Sequence, residues 1–152
     1  LMKNVNAADK MVINENDEWF LLTNICSANI NDHQSELHIF HSKDLKSNVW
    51  QPIETGNPVI FNSEQARNGG MFRHRKSLYR VNQKNKREHF GYAFEIRKIK
   101  NISKNEFLEE LVCKVEPNFK SDIISTHHFN ANENIAVVDF CRKERLYNAK
   151  RN

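Results

Sequence analysis

The sequence predicts an all-β chain of consecutive four-stranded blades, about two and a half blades of a β-propeller. Three observations carry that prediction. Period-two alternation of apolar and polar residues recurs along the chain, whereas amphipathic stretches of helical period are scarce. The connecting segments, such as NEND at 14–17, SANINDHQS at 27–35, SKDLKSN at 42–48, ETGNP at 54–58 and NANEN at 130–134, are short and carry turn residues. One short pattern also returns at a steady spacing: AADKMVI at 7–13, ARNGGMF at 66–72 and STHHFNA at 125–131. Asp9 to Arg67 is 58 residues and Arg67 to His127 is 60, which suits a four-stranded blade with generous loops.

In chain order, strands are expected at Lys10–Asn14, Trp19–Asn24, Glu36–Ser42, Pro58–Phe61, Gly70–His74, Leu78–Asn82, Phe90–Lys100, Phe107–Val115, Thr126–Asn130 and Ile135–Arg142. In Glu36–Ser42 both faces carry bulk, Leu37, Ile39 and His41 against His38, Phe40 and Ser42, as in a strand lying between two layers. Phe107–Val115 is rich in Glu and Leu, which favour helix, yet Leu111, Cys113 and Val115 alternate with Val112, Lys114 and Glu116, so a strand is expected. Each repeat opens with the recurring pattern and continues with EWFLLTN, KSLYRVN or NIAVVDF. In the first two a third strand follows, SELHIFHS or HFGYAFEI, and then WQPI or FLEELVCKVE. The chain divides as one domain over 1–152, with blades at 7–61 and 66–117, a partial blade at 125–142 and a basic tail at 143–152. A propeller closes with no fewer than about four blades. The chain therefore reads as the last two to three blades of a longer protein, with exposed flanks on its first and last sheets.

Composition narrows the partners. The formal charge of +4 arises from both signs interspersed. The basic clusters RHRK at 73–76, KNKR at 84–87 and Arg142–Arg151 read as solvated loops and a solvated terminus, so no nucleic-acid partner is expected. No run approaches the ~18 apolar residues of a membrane helix, and no signal-peptide profile opens the chain; a soluble, cytoplasmic protein without membrane insertion is expected. Cys26, Cys113 and Cys141 form neither a disulfide framework nor a zinc pattern and are expected as reduced, partly buried thiols, with no metal and no cofactor.

The innermost strand of every blade lines the axis, so its polar side chains converge from different blades. That places Asp9, Arg67 with Asn68, and His127 where they could meet a polyhydroxylated ligand. Trp50, Phe72, Tyr79 and Tyr92 are aromatic candidates for a sugar face, with the core as their alternative. A glycosidase needs a second acid, for which Asp32, Glu36 and Asp139 are the possible partners of Asp9. His127 and His128 face opposite sides of a strand and cannot share a metal. ARNGG precedes a strand, unlike a phosphate cradle, and Gly69 and Gly70 let that strand begin close to a crowded axis.

Taken in order, ADKMVINENDEWFLLT, SELHIFHSKDLKSNVWQPIETGNPVIF, ARNGGMF, LYRVNQ, FGYAFEIRKI and THHFN resemble the N-terminal propeller domain of the glucosamine inositolphosphorylceramide transferase type, over Ala8 to Arg142. That domain is similar in architecture to the five-bladed propellers of arabinanases, levansucrases and invertases. The resemblance implies a catalytic contribution from Asp9 and substrate binding by Arg67, Arg80, Gln83, Tyr92 and His127, with Gly70 also matching. The chain departs from the family in carrying Val81 and Asn82 before Gln83, where a Pro is usual, and in the basic run KNKREH at 84–89. The expected function is a carbohydrate-active domain that binds a sugar or sugar phosphate, associated with glycosyl transfer and with a transferase domain in the full-length protein. The alternatives are a glycoside hydrolase whose further acids lie in other blades, and a non-catalytic interaction scaffold. Arg67, Arg80 and Gln83 are expected in one pocket, with Asp9 or an anionic ligand as the counterpart of the guanidinium.

Overall fold

The computed structural model describes residues 4–86 and 89–143, the side chains of 89 and 90 excepted. Every regular element among them is a strand. The first sheet holds β1 (Ala7–Glu15), β2 (Glu18–Ile25), β3 (Glu36–Ser42) and β4 (Gln51–Pro52) in that order, with β5 (Ile60–Phe61) also paired to β3. The second sheet is β6 (Asn68–His74), β7 (Ser77–Lys86), β8 (His89–Ile102) and β9 (Phe107–Val115), again in chain order. Every pairing is antiparallel. Two short pairs follow, β10 (Ile123–Ser125) with β13 (Cys141–Arg142) and β11 (Phe129–Ala131) with β12 (Ala136–Val138).

The opening hairpin of each sheet turns in two residues, both in the left-handed region: Asn16 and Asp17 (φ 51° and 58°), then Arg75 and Lys76 (φ 46° and 67°). This is the twist-matched hairpin geometry; Asn and Asp enter it readily, whereas Arg and Lys do so only because the ladders on both sides hold them. The repeat seen in the sequence is also a repeat in register. Ile13 pairs with Phe20 and Phe72 with Tyr79, each pair enclosing six residues, so 13 and 72 are equivalent positions; in the third hairpin the pair at that depth is Asn130 with Val137, one residue short of the sequence spacing. Near its start β1 slips between Ala8 and Met11, and β6 slips between Asn68 and Gly70, a bulge at the same place in both sheets.

Burial explains why these segments become strands. Phe20, Leu22, Leu37 and Ile39 of the first sheet meet Leu78, Ile99 and Ile102 of the second, with Ile53 and Ala66 packed in the same core. On the other face of the second sheet Phe72 stacks on Tyr79 at 5.1 Å, and Phe129 stands edge-on to Phe72 at 5.2 Å and stacks on Phe94 at 5.9 Å. Both Phe72 and Tyr79 thus join the packing of the second and third units. Trp50 is buried, with its indole N–H donating to the Ser47 carbonyl at 3.1 Å. β1 touches β6, and β6 touches β11.

Three expectations need correction. The strand expected at Pro58–Phe61 is only Ile60–Phe61, because the fourth strand of the first sheet is interrupted between β4 and β5. There the Asn57 amide stands in for a strand residue: Oδ1 accepts from the Ile39 N–H at 2.8 Å and Nδ2 donates to the Ile39 carbonyl at 3.0 Å. Thr126–Asn130 and Ile135–Arg142 are each broken, since the Asp139 carboxylate takes the N–H groups of His127 (3.0 Å) and His128 (2.8 Å) and so replaces ladder pairing. Cys26 is half-buried as expected, but Cys113 and Cys141 are exposed. Phe107–Val115 is a strand, and its Glu residues are accounted for by partners across the sheet: Glu109 by Arg80 and Glu110 by Lys100. Along it a slip between Ile96 and Arg97 interrupts simple alternation, and Leu111 and Val112 are both exposed. On β12, Val137 and Val138 are also exposed, as are Ile135 and Phe140 beside it. The basic tail lies outside the described residues apart from Arg142 and Lys143, as does Arg87 of the KNKR cluster.

Candidate functional site

The two bulges and the segment before β11 bring the expected innermost residues to one end of their strands. Asp9 sits in the β1 bulge with φ 49°, an unusual conformation for a residue with a side chain, and its carboxylate accepts a hydrogen bond from Arg67 Nε at 2.9 Å. Asn68 Nδ2 donates to the Asp9 carbonyl at 3.0 Å, while its own N–H donates to Asn24 Oδ1 at 2.9 Å. Asp9 and Asn68 hold equivalent places 59 residues apart, and His127 stands the same distance further on. The Asp9 and Arg67 side chains are 28% and 25% exposed, so this ion pair bridges two sheets yet faces solvent. Among the described residues nothing accepts from the Arg67 Nη nitrogens.

His127 is placed by close backbone approach. A Cβ on Gly69 would lie 2.3 Å from the His127 carbonyl oxygen, and one on Gly91 would lie 2.5 Å from the His127 Cβ and 2.6 Å from its Cγ. The imidazole is thus seated on bare backbone. Its Nδ1 meets Asp139 Oδ2 at 2.7 Å, and the ring remains 45% exposed. Gln83 lies beneath, buried: its N–H donates to the Arg67 carbonyl at 2.9 Å and its Nε2 to the Asn68 carbonyl at 2.6 Å. It supports the start of β6. Tyr92 is half-buried, with Lys86 Nζ 4.5 Å above its ring and its carbonyl accepting from the Thr126 N–H at 3.0 Å.

Arg80 does not join this group. Its side chain is 0% exposed and all five N–H donors are engaged. Nε and Nη2 grip Glu109 at 2.8 and 2.6 Å, Nη1 reaches the Ala66 carbonyl and Asn68 Oδ1 at 3.3 and 3.2 Å, and Nη2 also donates to the Gln65 carbonyl at 2.8 Å. Arg80 is an internal clamp between β7, β9 and the connection into β6. The pairing was hidden in the sequence because Glu109 lies 29 residues away and only the register of three strands brings it opposite.

Beside this clamp Arg97 bonds Glu95 at 2.7 Å and Asn82 Oδ1 at 2.8 Å, with Lys114 3.4 Å from Glu95. Burial pushes the Glu95 carboxyl up, but the Arg97 hydrogen bond and the charges of Lys84, Arg97 and Lys114 outweigh it and bring it below the ordinary 4.5. A lowered folded-state value stabilises the fold above the unfolded value, and that contribution is lost as pH falls through the folded one. Melting temperature will therefore drop on acidification below about pH 4.5, and more steeply in the wild type than in Glu95→Gln. Parallel curves for the two proteins would refute this role.

The other carboxylates weighed as acid partners are committed locally. Asp32 holds the N–H groups of Gln34 and Ser35 at 2.7 and 2.8 Å and the Ser35 hydroxyl at 2.9 Å; Glu36 is buried between Ser27 Oγ and His38 Nε2, at 2.9 and 2.8 Å. A cleft of about 830 Å³ opens toward the other ends of the same strands, with Val12, Ile13, Met71, Phe72 and Ala131 on its floor and the Arg73–Lys76 turn on its wall. It is distinct from the polar end that carries Asp9, Arg67 and His127. No helix among the described residues is long and apolar enough to cross a membrane.

No curated protein and no solved structure matches the chain at a significant level. The model of one protein family matches residues 1–139, described as glucosamine inositolphosphorylceramide transferase 1, N-terminal. An all-β chain of repeated antiparallel sheets is matched over nearly its whole length, and it belongs to the family of the N-terminal domain of glucosamine inositolphosphorylceramide transferase 1.

Proposed function

We propose that this chain is the ligand-facing part of a five-bladed β-propeller that binds a sugar or sugar phosphate and accompanies a glycosyl-transferring domain. Residues 7–61 and 66–117 make two blades and 125–142 part of a third. Support for the architecture comes from the shared register of the first two sheets, from the third hairpin that follows at nearly the same spacing, and from the contacts of β1 with β6 and β6 with β11, the opening strand of each unit. The association with glycosyl transfer rests on the family.

The observation that carries the binding role is the Asp9–Arg67 pair, 2.9 Å apart on a left-handed bulge residue and open to solvent. A carboxylate and a guanidinium side by side offer acceptors and planar donors together, which suits the paired hydroxyls of a sugar; the free end of the guanidinium suits a phosphate. An interaction scaffold would set apolar groups at these strand starts, whereas the part-exposed Asp9, Arg67 and His127 stand there. Hydrolysis by this chain alone is disfavoured because Asp32, Glu36 and Asp139 are spent on local partners.

Arg67→Ala should abolish binding to an array of neutral and phosphorylated mono- and disaccharides in the full-length protein while shifting the melting temperature by no more than a few degrees, since a part-exposed ion pair contributes about 1 kcal/mol or less. Intact binding with a large loss of stability would leave Arg67 as a strut between sheets and remove the site.

A further inference from the structure

We propose that His127 and Asp139 form a hydroxyl-reading dyad in the same site, with Nε2 of the neutral His127 ring as a hydrogen-bond acceptor; this rests on the sugar-binding reading and assigns one corner of the pocket to a ligand hydroxyl. The geometry gives the imidazole one orientation and one tautomer. Asp139 is itself anchored, its Oδ1 accepting from the N–H groups of His127 and His128 at 3.0 and 2.8 Å, while Thr126 Oγ1 donates to its carbonyl at 2.7 Å. That leaves Oδ2 aimed at His127 Nδ1, 2.7 Å away. A carboxylate has only acceptors, so the proton of a neutral imidazole must sit on Nδ1 and the lone pair on Nε2. The ring cannot retreat, because its Cβ and Cγ rest against the Gly91 backbone, nor can its backbone shift inward, because the carbonyl abuts Gly69. No described residue bonds Nε2, and the side chain is 45% exposed.

The two halves of the site thereby become complementary in sign. Arg67 presents N–H donors at the start of the second unit, and His127 presents an acceptor near the start of the third. A ligand carrying a hydroxyl donor at one end and an acceptor or anionic oxygen at the other satisfies both. A phosphate oxygen at the His127 corner would meet a lone pair instead of a proton.

The test combines a tautomer measurement with binding. Long-range nitrogen–proton spectra of the wild-type full-length protein near pH 8 should show the Nδ1–H form of His127. Asp139→Asn keeps an oxygen for the two backbone N–H groups but turns a donor toward Nδ1, so the proton should move to Nε2. Binding of a neutral monosaccharide from the array should weaken roughly tenfold, the loss of one hydrogen bond at a partly dried site. His127→Phe, which keeps a ring over Gly91, should weaken it equally with the melting temperature nearly unchanged. An Nε2–H form in the wild type overturns the inference. So does undiminished binding by both variants. If Arg67→Ala also binds normally, or the wild type binds none of the array, the sugar-binding reading falls with it.

Discussion

Arg80→Leu will destabilise the fold by about 3–5 kcal/mol, as a shift in the midpoint of urea denaturation, and at the upper end will leave little folded protein. The reason is what remains behind. Glu109 is 6% exposed and would keep a buried charge, its other cationic neighbour Arg97 being 3.8 Å away, while the Ala66 and Gln65 carbonyls and Asn68 Oδ1 would each lose a donor. Arg80→Lys will not rescue it, because one ammonium cannot span the fork that holds Glu109 through two nitrogens. The double variant Arg80→Leu, Glu109→Leu should be more stable than Arg80→Leu alone, since removing both charges costs less than stranding one. A single-variant loss below about 1 kcal/mol would contradict the clamp.

Gly70→Ala is the second large effect, at about 2–5 kcal/mol from overlap and backbone strain together. Gly70 has φ 143°, which side-chain-bearing residues rarely adopt, and a Cβ there would lie 1.9 Å from the Phe129 carbonyl oxygen and 3.0 Å from its carbon. Backbone cannot yield as a flexible side chain does, so β11 must move away from β6. The Phe72–Phe129 and Phe94–Phe129 contacts, at 5.2 and 5.9 Å, would open with it. Hydrogen exchange should show protection lost from Phe129–Ala131 while β2 and β8 keep theirs. Gly56→Ala is the control: its φ of 84° carries backbone strain, but nothing lies within 4 Å of the added carbon. Equal exchange in the two variants would show that the close approach is not what Gly70 provides.

Much of the architecture was legible because its cause is local. EWFLLTN carries a continuous apolar run, Trp19–Leu22, as befits a strand buried on both faces, and the recurring pattern at 7 and 66 matches the register of the first two ladders. The Asp9–Arg67 pair followed from that repeat, for it joins the opening strands of neighbouring sheets. What stayed hidden depends on single side chains that imitate or displace backbone. Asn57 completes a strand with its amide, leaving no periodic trace, and Asp139 breaks two strands by capping N–H groups. The His127–Asp139 pair had a usable signal, as both lie at comparable distances from the NANEN turn on opposite arms of one hairpin. Arg80 could not be placed from the sequence, since a guanidinium on the second strand of a unit reads the same whether it reaches a ligand or a distant glutamate.

Each sheet is built from strands that are consecutive in the chain, and that order governs how the protein can emerge from a ribosome. The first sheet has all its strands once residue 61 has been made, and the second once residue 115 has been made, neither borrowing a strand from the other. Pairings this local close without waiting for distant chain, so each unit can fold on arrival and offer its flank to the next. The ties that join units, such as Asp9 to Arg67, Asn68 to the Asp9 carbonyl and the Gly70 backbone to Phe129, wait for the following unit; they act as latches between pieces already formed.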